Sequence, residues 1–259
     1  MRKSAVQRSV ILGAPLAVGI ADLTHPTFTK EVGIYHGVLA HLNWWIILHL
    51  VQIPLFALLG LAAYFLLDGI AGPAARVSRC ALAVFLVVYP AFDTLIGVGT
   101  GILVKNAMHL PVSDQATIAQ AIDAYWRSPI AFIIAVTGAD AWNIGVLFAA
   151  LALARPRWGR SPVVFAMFVA LLVAVSRSAL GYGTPAWWAA ILVASTAFAI
   201  ITQPSLAVGL LAFASFLFAA DHAPPLGPLG MLCFLLAAFL FTIPAQKTPP
   251  SSVGKGVGG

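Results

Sequence analysis

Apolar runs of near membrane-crossing length recur along this chain, at 9–23, 43–67, 80–104, 129–153, 162–180, 186–202, 205–220 and 227–244. About 20 apolar residues in a helix span the hydrocarbon core of a bilayer, so each run is a candidate crossing. Composition agrees: 61% of the 259 residues are apolar and 8% are charged, against roughly 25% charged in a soluble domain. Mean hydropathy is +0.98. A water-soluble enzyme is excluded on these grounds. The expectation is an all-α, polytopic integral membrane helix bundle with eight transmembrane helices, seven being the runner-up.

Residues 1–247 then form one transmembrane helical domain in the cell membrane, and 248–259 a flexible cytoplasmic tail rich in Pro, Ser and Gly. Arg2, Lys3 and Arg8 before the first run also fit a signal peptide. No clean small-x-small cleavage signal follows, so the run is expected to be retained. With the N-terminus inside, ten of the fourteen basic residues fall on the cytoplasmic side, which places both termini there. The net charge of +6 therefore reads as orientation, with the bilayer and not nucleic acid as the partner.

The longest outer connection, 105–128, carries Ile118, Ile122 and Tyr125 at helical spacing behind Asp114, a candidate N-cap. A short surface helix is expected there, an interfacial linker or a lid. Trp44, Trp45, Tyr125, Trp126, Trp158, Trp187 and Trp188 fit headgroup anchors. Gly97, Gly99 and Gly101 lack the strand and spacing of a nucleotide fingerprint and read as helix packing or a kink.

Ionisable groups in hydrocarbon are costly and so point to function or to specific pairing. His49 and Gln52 lie in the second run, Asp93 in the third, Asp140 and Asn143 in the fourth and Arg177 in the fifth. Together they could line one polar interior. His41, Trp45, His49 and Gln52 fall at about 0, 40, 80 and 20 degrees on a helical wheel, one broad face. Pro54 follows them and frees a carbonyl near Leu50. Arg177 is the expected countercharge of Asp140.

A second set collects near the outer side: His25, His36, His41, His109 and His222, with Asp22 and Asp221. Such residues could assemble a metal or haem site from several helix ends. Covalent retinal is excluded, because Lys3, Lys30, Lys105, Lys247 and Lys255 all lie outside the runs or at their ends. Cys80 and Cys233 form no Cys-x-x-Cys motif.

Three functions remain open. The first is a transporter or permease for a small or lipid-soluble solute, proton-coupled through Asp93 and Asp140. The second is a membrane enzyme or redox protein built on the outer histidines. The third is a non-catalytic partner subunit whose polar pairs specify packing.

Overall fold

The structure is a computed structural model that describes residues 3–29, 31–154 and 206–242. Its described elements are helical: α1 (Ala5–Leu23), α2 (Gly33–Ala40), α3 (Leu42–Leu66), α4 (Pro73–Phe92), a π-helical turn (Asp93–Val98), α5 (Gly99–Ala107), α6 (Val112–Trp126), α7 (Pro129–Leu153), α8 (Leu206–Ala220) and α9 (Leu226–Thr242). Local sequence explains the helix starts. Ser4 caps α1 in a reciprocal box with Gln7. Ser128 accepts from the Ala131 N–H ahead of Pro129, which opens α7 at a position where no N–H is needed.

Six helices close a ring in the order α1, α3, α4, α7, α8, α9 and back to α1. Aromatic side chains fill its middle: Phe56 of α3, Phe85 and Tyr89 of α4, Trp142 of α7, Phe218 of α8 and Phe234 of α9. Lipid is as apolar as these side chains, so close packing rather than water exclusion holds such helices together. Small residues permit it. A Cβ on Gly138 or Gly145 would come within 2.9 Å of Tyr89 or 2.8 Å of Leu82, so both glycines let α7 lie directly on α4. Ser78 Oγ donates to the Gly145 carbonyl at 2.6 Å across the same seam.

The protein is a membrane-embedded bundle with several apolar membrane-length helices, consistent with a cell-membrane location, but the expected eight crossings, or seven, are corrected. Among the described residues four helical stretches are long and apolar enough to span: Ala5–Leu23, Leu42–Leu66, Pro73–Ala107 and Pro129–Leu153. The runs at 205–220 and 227–244 are the shorter helices α8 and α9, of 15 and 17 residues. At about 1.5 Å per residue they reach about 23 and 26 Å, short of a hydrocarbon core about 30 Å thick. The runs at 162–180 and 186–202, and the tail at 248–259, lie outside the described residues.

Two local expectations also change. Helix α6 exists, but it starts at Val112 behind Pro111, so Asp114 sits in its first turn and is not its cap. His41 is the joint between α2 and α3, with φ −127° and ψ 23°, and is exposed, so it leaves the Trp45, His49 and Gln52 face.

Candidate functional site

Trp45, His49 and Gln52 bury one face of α3 toward α1 and the π turn. The π turn has a local cause. Thr94 Oγ1 donates to the Pro90 carbonyl at 2.8 Å, and the Gly99 N–H reaches back five residues to the Thr94 carbonyl. A side chain that occupies the acceptor of the regular ladder favours the wider turn, and such turns recur at functional sites. Gly97 within it makes room for a ring: a Cβ there would land on the His49 imidazole. Trp45 Nε1 then donates to the Gly97 carbonyl at 2.8 Å and locks α3 to the turn.

The polar cluster lies at this end of the ring. Gln52 Nε2 donates to Asp22 Oδ1 at 3.0 Å, tying α3 to the last turn of α1. His49 Nδ1 lies 2.8 Å from the Trp45 carbonyl, and His25 Nδ1 lies 2.9 Å from the Pro26 carbonyl. A carbonyl can only accept, so Nδ1 carries the proton in both rings and Nε2 presents a lone pair. His49 Nε2 faces Asp93 Oδ1 across 3.9 Å, too long for a direct hydrogen bond. The His25 ring centre is 5.3 Å from that of His49 and 5.0 Å from that of His222.

Hydrogen bonding is incomplete here. Asp22 Oδ2, His25 Nε2, Gln52 Oε1 and Asp93 Oδ2 are all buried and have no hydrogen-bond partner among the described residues. Asp22 and Gln52 are fully buried and Asp93 is 3% exposed. Neither carboxylate pairs with a Lys or Arg among the described residues. Aromatic rings close the cluster on two sides. Trp45 packs on His49 with ring centres 4.3 Å apart, and Phe28 and Trp126 flank Trp45. On the other side Phe56, Tyr89 and Phe218 surround His222.

Two of the imidazoles lie in connections outside the membrane-length helices, and both resist protonation. Burial lowers the proton affinity of His25, against the Pro26 carbonyl and the Asp221 carboxylate, which raise it. His222 is pushed well below the ordinary imidazole range, first by burial and then by His25 and His49. Asp221 itself accepts from the Ala223 N–H at 2.9 Å.

The cluster draws from both groups of polar residues seen in the sequence. His49, Gln52 and Asp93 meet Asp22, His25 and His222. His36, His41 and His109 are exposed and stand apart from it. No group of three or more His, Cys, Asp or Glu side chains is arranged to hold a metal ion among the described residues. Asp140 and Asn143 lie on α7, across the ring from α1. Asp140 is partly buried, and Asn143 is buried with both amide atoms unpaired among the described residues. Arg177 lies outside the described residues.

The aromatic wall formed by Trp45 and Phe28 had no motif to announce it. Its one signal was Trp45 at helical spacing from His49. Helix α6 braces this end, with Tyr125 Oη donating to the Leu95 carbonyl at 2.9 Å and Trp126 Nε1 to Thr100 Oγ1 at 2.8 Å. No family model, no curated protein and no solved structure matches the chain.

Proposed function

We propose that the protein is a proton-coupled carrier of a small solute, with Asp22 and Asp93 as the groups that take up and release the proton. The observation that carries this reading is the pair of buried carboxylates, on α1 and in the π turn, with no basic side chain to neutralise them among the described residues. A buried carboxylate in hydrocarbon must be paired, hydrated or protonated, and mobile protons are the simplest neutralising charge. The His49 Nε2 lone pair faces Asp93 across 3.9 Å and offers a bound proton a second station. Gln52 holds Asp22 through one oxygen, and the other has no partner among the described residues.

The aromatic rings on both sides support the same reading, because a coupling site must be screened from water while it is occupied. Phe28, Trp45 and Trp126 close one side, and Phe56, Tyr89 and Phe218 the other. The test is proton movement in proteoliposomes under an imposed pH gradient. The wild-type protein is expected to pass protons with its solute. Asp93→Asn and Asp22→Asn, each isosteric and still folded by thermal melting, are expected to lose at least 10-fold of that rate. Unchanged proton movement in both variants overturns the proposal.

A further inference from the structure

We infer that the solute bound among Asp22, Gln52, His25 and Asp93 is a small protonated amine, ammonium or a primary alkylammonium, which exchanges with a proton there. This rests on the carrier reading above and names the solute class of the same site. In this cluster four buried atoms lack a partner among the described residues, Asp22 Oδ2, Gln52 Oε1, His25 Nε2 and Asp93 Oδ2; the others, Trp142 Nε1 and the Asn143 amide, lie on α7. Once both carboxyls have released their protons, all four accept hydrogen bonds. The Gln52 amide is fixed in that sense because its nitrogen is spent on Asp22, and His25 because its Nδ1 proton is spent on the Pro26 carbonyl. In that ionised state an anion or an acceptor-only solute would find no donor among these atoms. An ammonium group brings three or four N–H donors and one positive charge, which matches both the acceptors and the carboxylates.

The walls favour the same ligand. Trp45 beside His49, and Phe56 and Tyr89 beside His222, present ring faces and edges to the cluster, and a desolvated cation is attracted to aromatic faces. Access has a candidate route. A cavity of about 530 Å³ is lined by Phe28, Thr29, Gly33, Ile34, Asp123 and Arg127, so Phe28 belongs both to that cavity and to the aromatic wall over Trp45.

The exchange balances in charge. A carboxyl at Asp22 or Asp93 gives its proton to water, and the carboxylate left behind holds the alkylammonium. The groups facing this step from the packed elements are His49 of α3, His25 after α1, and Asp221 and His222 after α8.

The test uses the purified full chain in detergent, weakly buffered near pH 7.5, titrated with methylammonium chloride. Tetramethylammonium chloride, which has the charge but no N–H, is the control at equal ionic strength. The expected result is a saturable change in tryptophan fluorescence with proton release on methylammonium alone, weakened at least 10-fold in Asp93→Asn and at lower pH. Equal responses to the two salts, or none to methylammonium, overturn the amine inference, even where the Asp93-dependent proton movement in proteoliposomes stands. Saturable methylammonium binding without proton release overturns the exchange and the coupling reading, while leaving an amine site.

Discussion

The two ends of the helix ring treat buried polarity in opposite ways. At one end Lys3 Nζ donates to the Phe65 and Leu66 carbonyls, and Arg79 donates to the Leu67 and Ile70 carbonyls at 2.8 Å each. Gln7 joins Asp68 at 3.3 Å, and its carbonyl oxygen closes the capping box at Ser4. Lys3 covers the last carbonyls of α3 and Arg79 those of its cap residue and the turn after it, where the helix dipole favours positive charge. Burial lowers the proton affinity of Lys3, partly offset by Asp68, and the ammonium still has carbonyls to serve. At the other end Asp22, His25, Gln52 and Asp93 keep acceptors without partners among the described residues. Satisfied polarity belongs to the scaffold, and the unsatisfied acceptors are the ones to which the proposed function assigns the proton and its solute.

The largest effect expected from breaking this comparison comes at Gly97. Alanine in a helix is ordinarily favoured over glycine by about 1 kcal/mol, yet a Cβ here would land on the His49 ring. Gly97→Ala should therefore destabilise by about 2–3 kcal/mol, the range of overpacked cores. Gly99→Ala is the internal control, since its nearest neighbour is the Thr94 carbonyl at 3.7 Å, and it should be neutral or slightly stabilising. Thermal or denaturant melting of the pair decides this, and equal losses at both positions would remove the seat assigned to His49.

Next in size is Arg79→Ala. It strips charged donors from two carbonyls, and the expected loss is about 1.5–2 kcal/mol. Proton movement should be unchanged, because the substitution lies at the satisfied end.

The pH dependence follows from His25 and His222, whose proton affinities are lowered in the fold. Near and below the ordinary imidazole pKa, about 6.5, the unfolded chain binds protons that the folded chain refuses. The contribution of these two rings to stability is fully present above that pH and falls as the pH drops through it. Relative to wild type, the double variant His25→Gln, His222→Gln should therefore gain in melting temperature as the pH drops from 7.5 to 5.5, a difference in which the carboxyls shared by both proteins cancel. A pH-independent gap between wild type and variant would contradict the burial assigned to these rings. The smallest effect is expected for Arg127→Ala. Its ion pair with Asp123 at 3.1 Å is exposed on α6, and such pairs contribute under about 0.5 kcal/mol.

Much of the scaffold was legible in the sequence because hydrophobicity and proline are local signals. The first four apolar runs became α1, α3, the stretch from α4 through α5, and α7. The count of crossings was not legible, since α8 and α9 are as apolar as the rest and differ in length alone. His49 and Gln52 were visible as one face, and Asp93 as a charge deep in a run. Their meeting with Asp22, His25 and His222 was not visible, for it depends on how helix ends far apart in the chain converge around the ring. Asp93 was also expected to act with Asp140. The two carboxylates stand on the π turn and on α7, whereas Asp22 lies on α1, which Gln52 and His49 of α3 link to the Asp93 side of the cluster. Gly97 reads from the sequence as a packing or kink position, and the side chain it admits, His49, comes from a helix far away in the chain.

One paired measurement tests the division between the two ends most directly: melting temperature and proton movement in proteoliposomes, each determined for Asp93→Asn and Arg79→Ala. The account predicts that Asp93→Asn keeps its melting temperature and loses proton movement at least 10-fold, while Arg79→Ala melts lower and moves protons at the wild-type rate. If Asp93→Asn still moves protons, or if both variants lose only stability, the cluster around Asp22 and Asp93 is part of the scaffold and the account is contradicted.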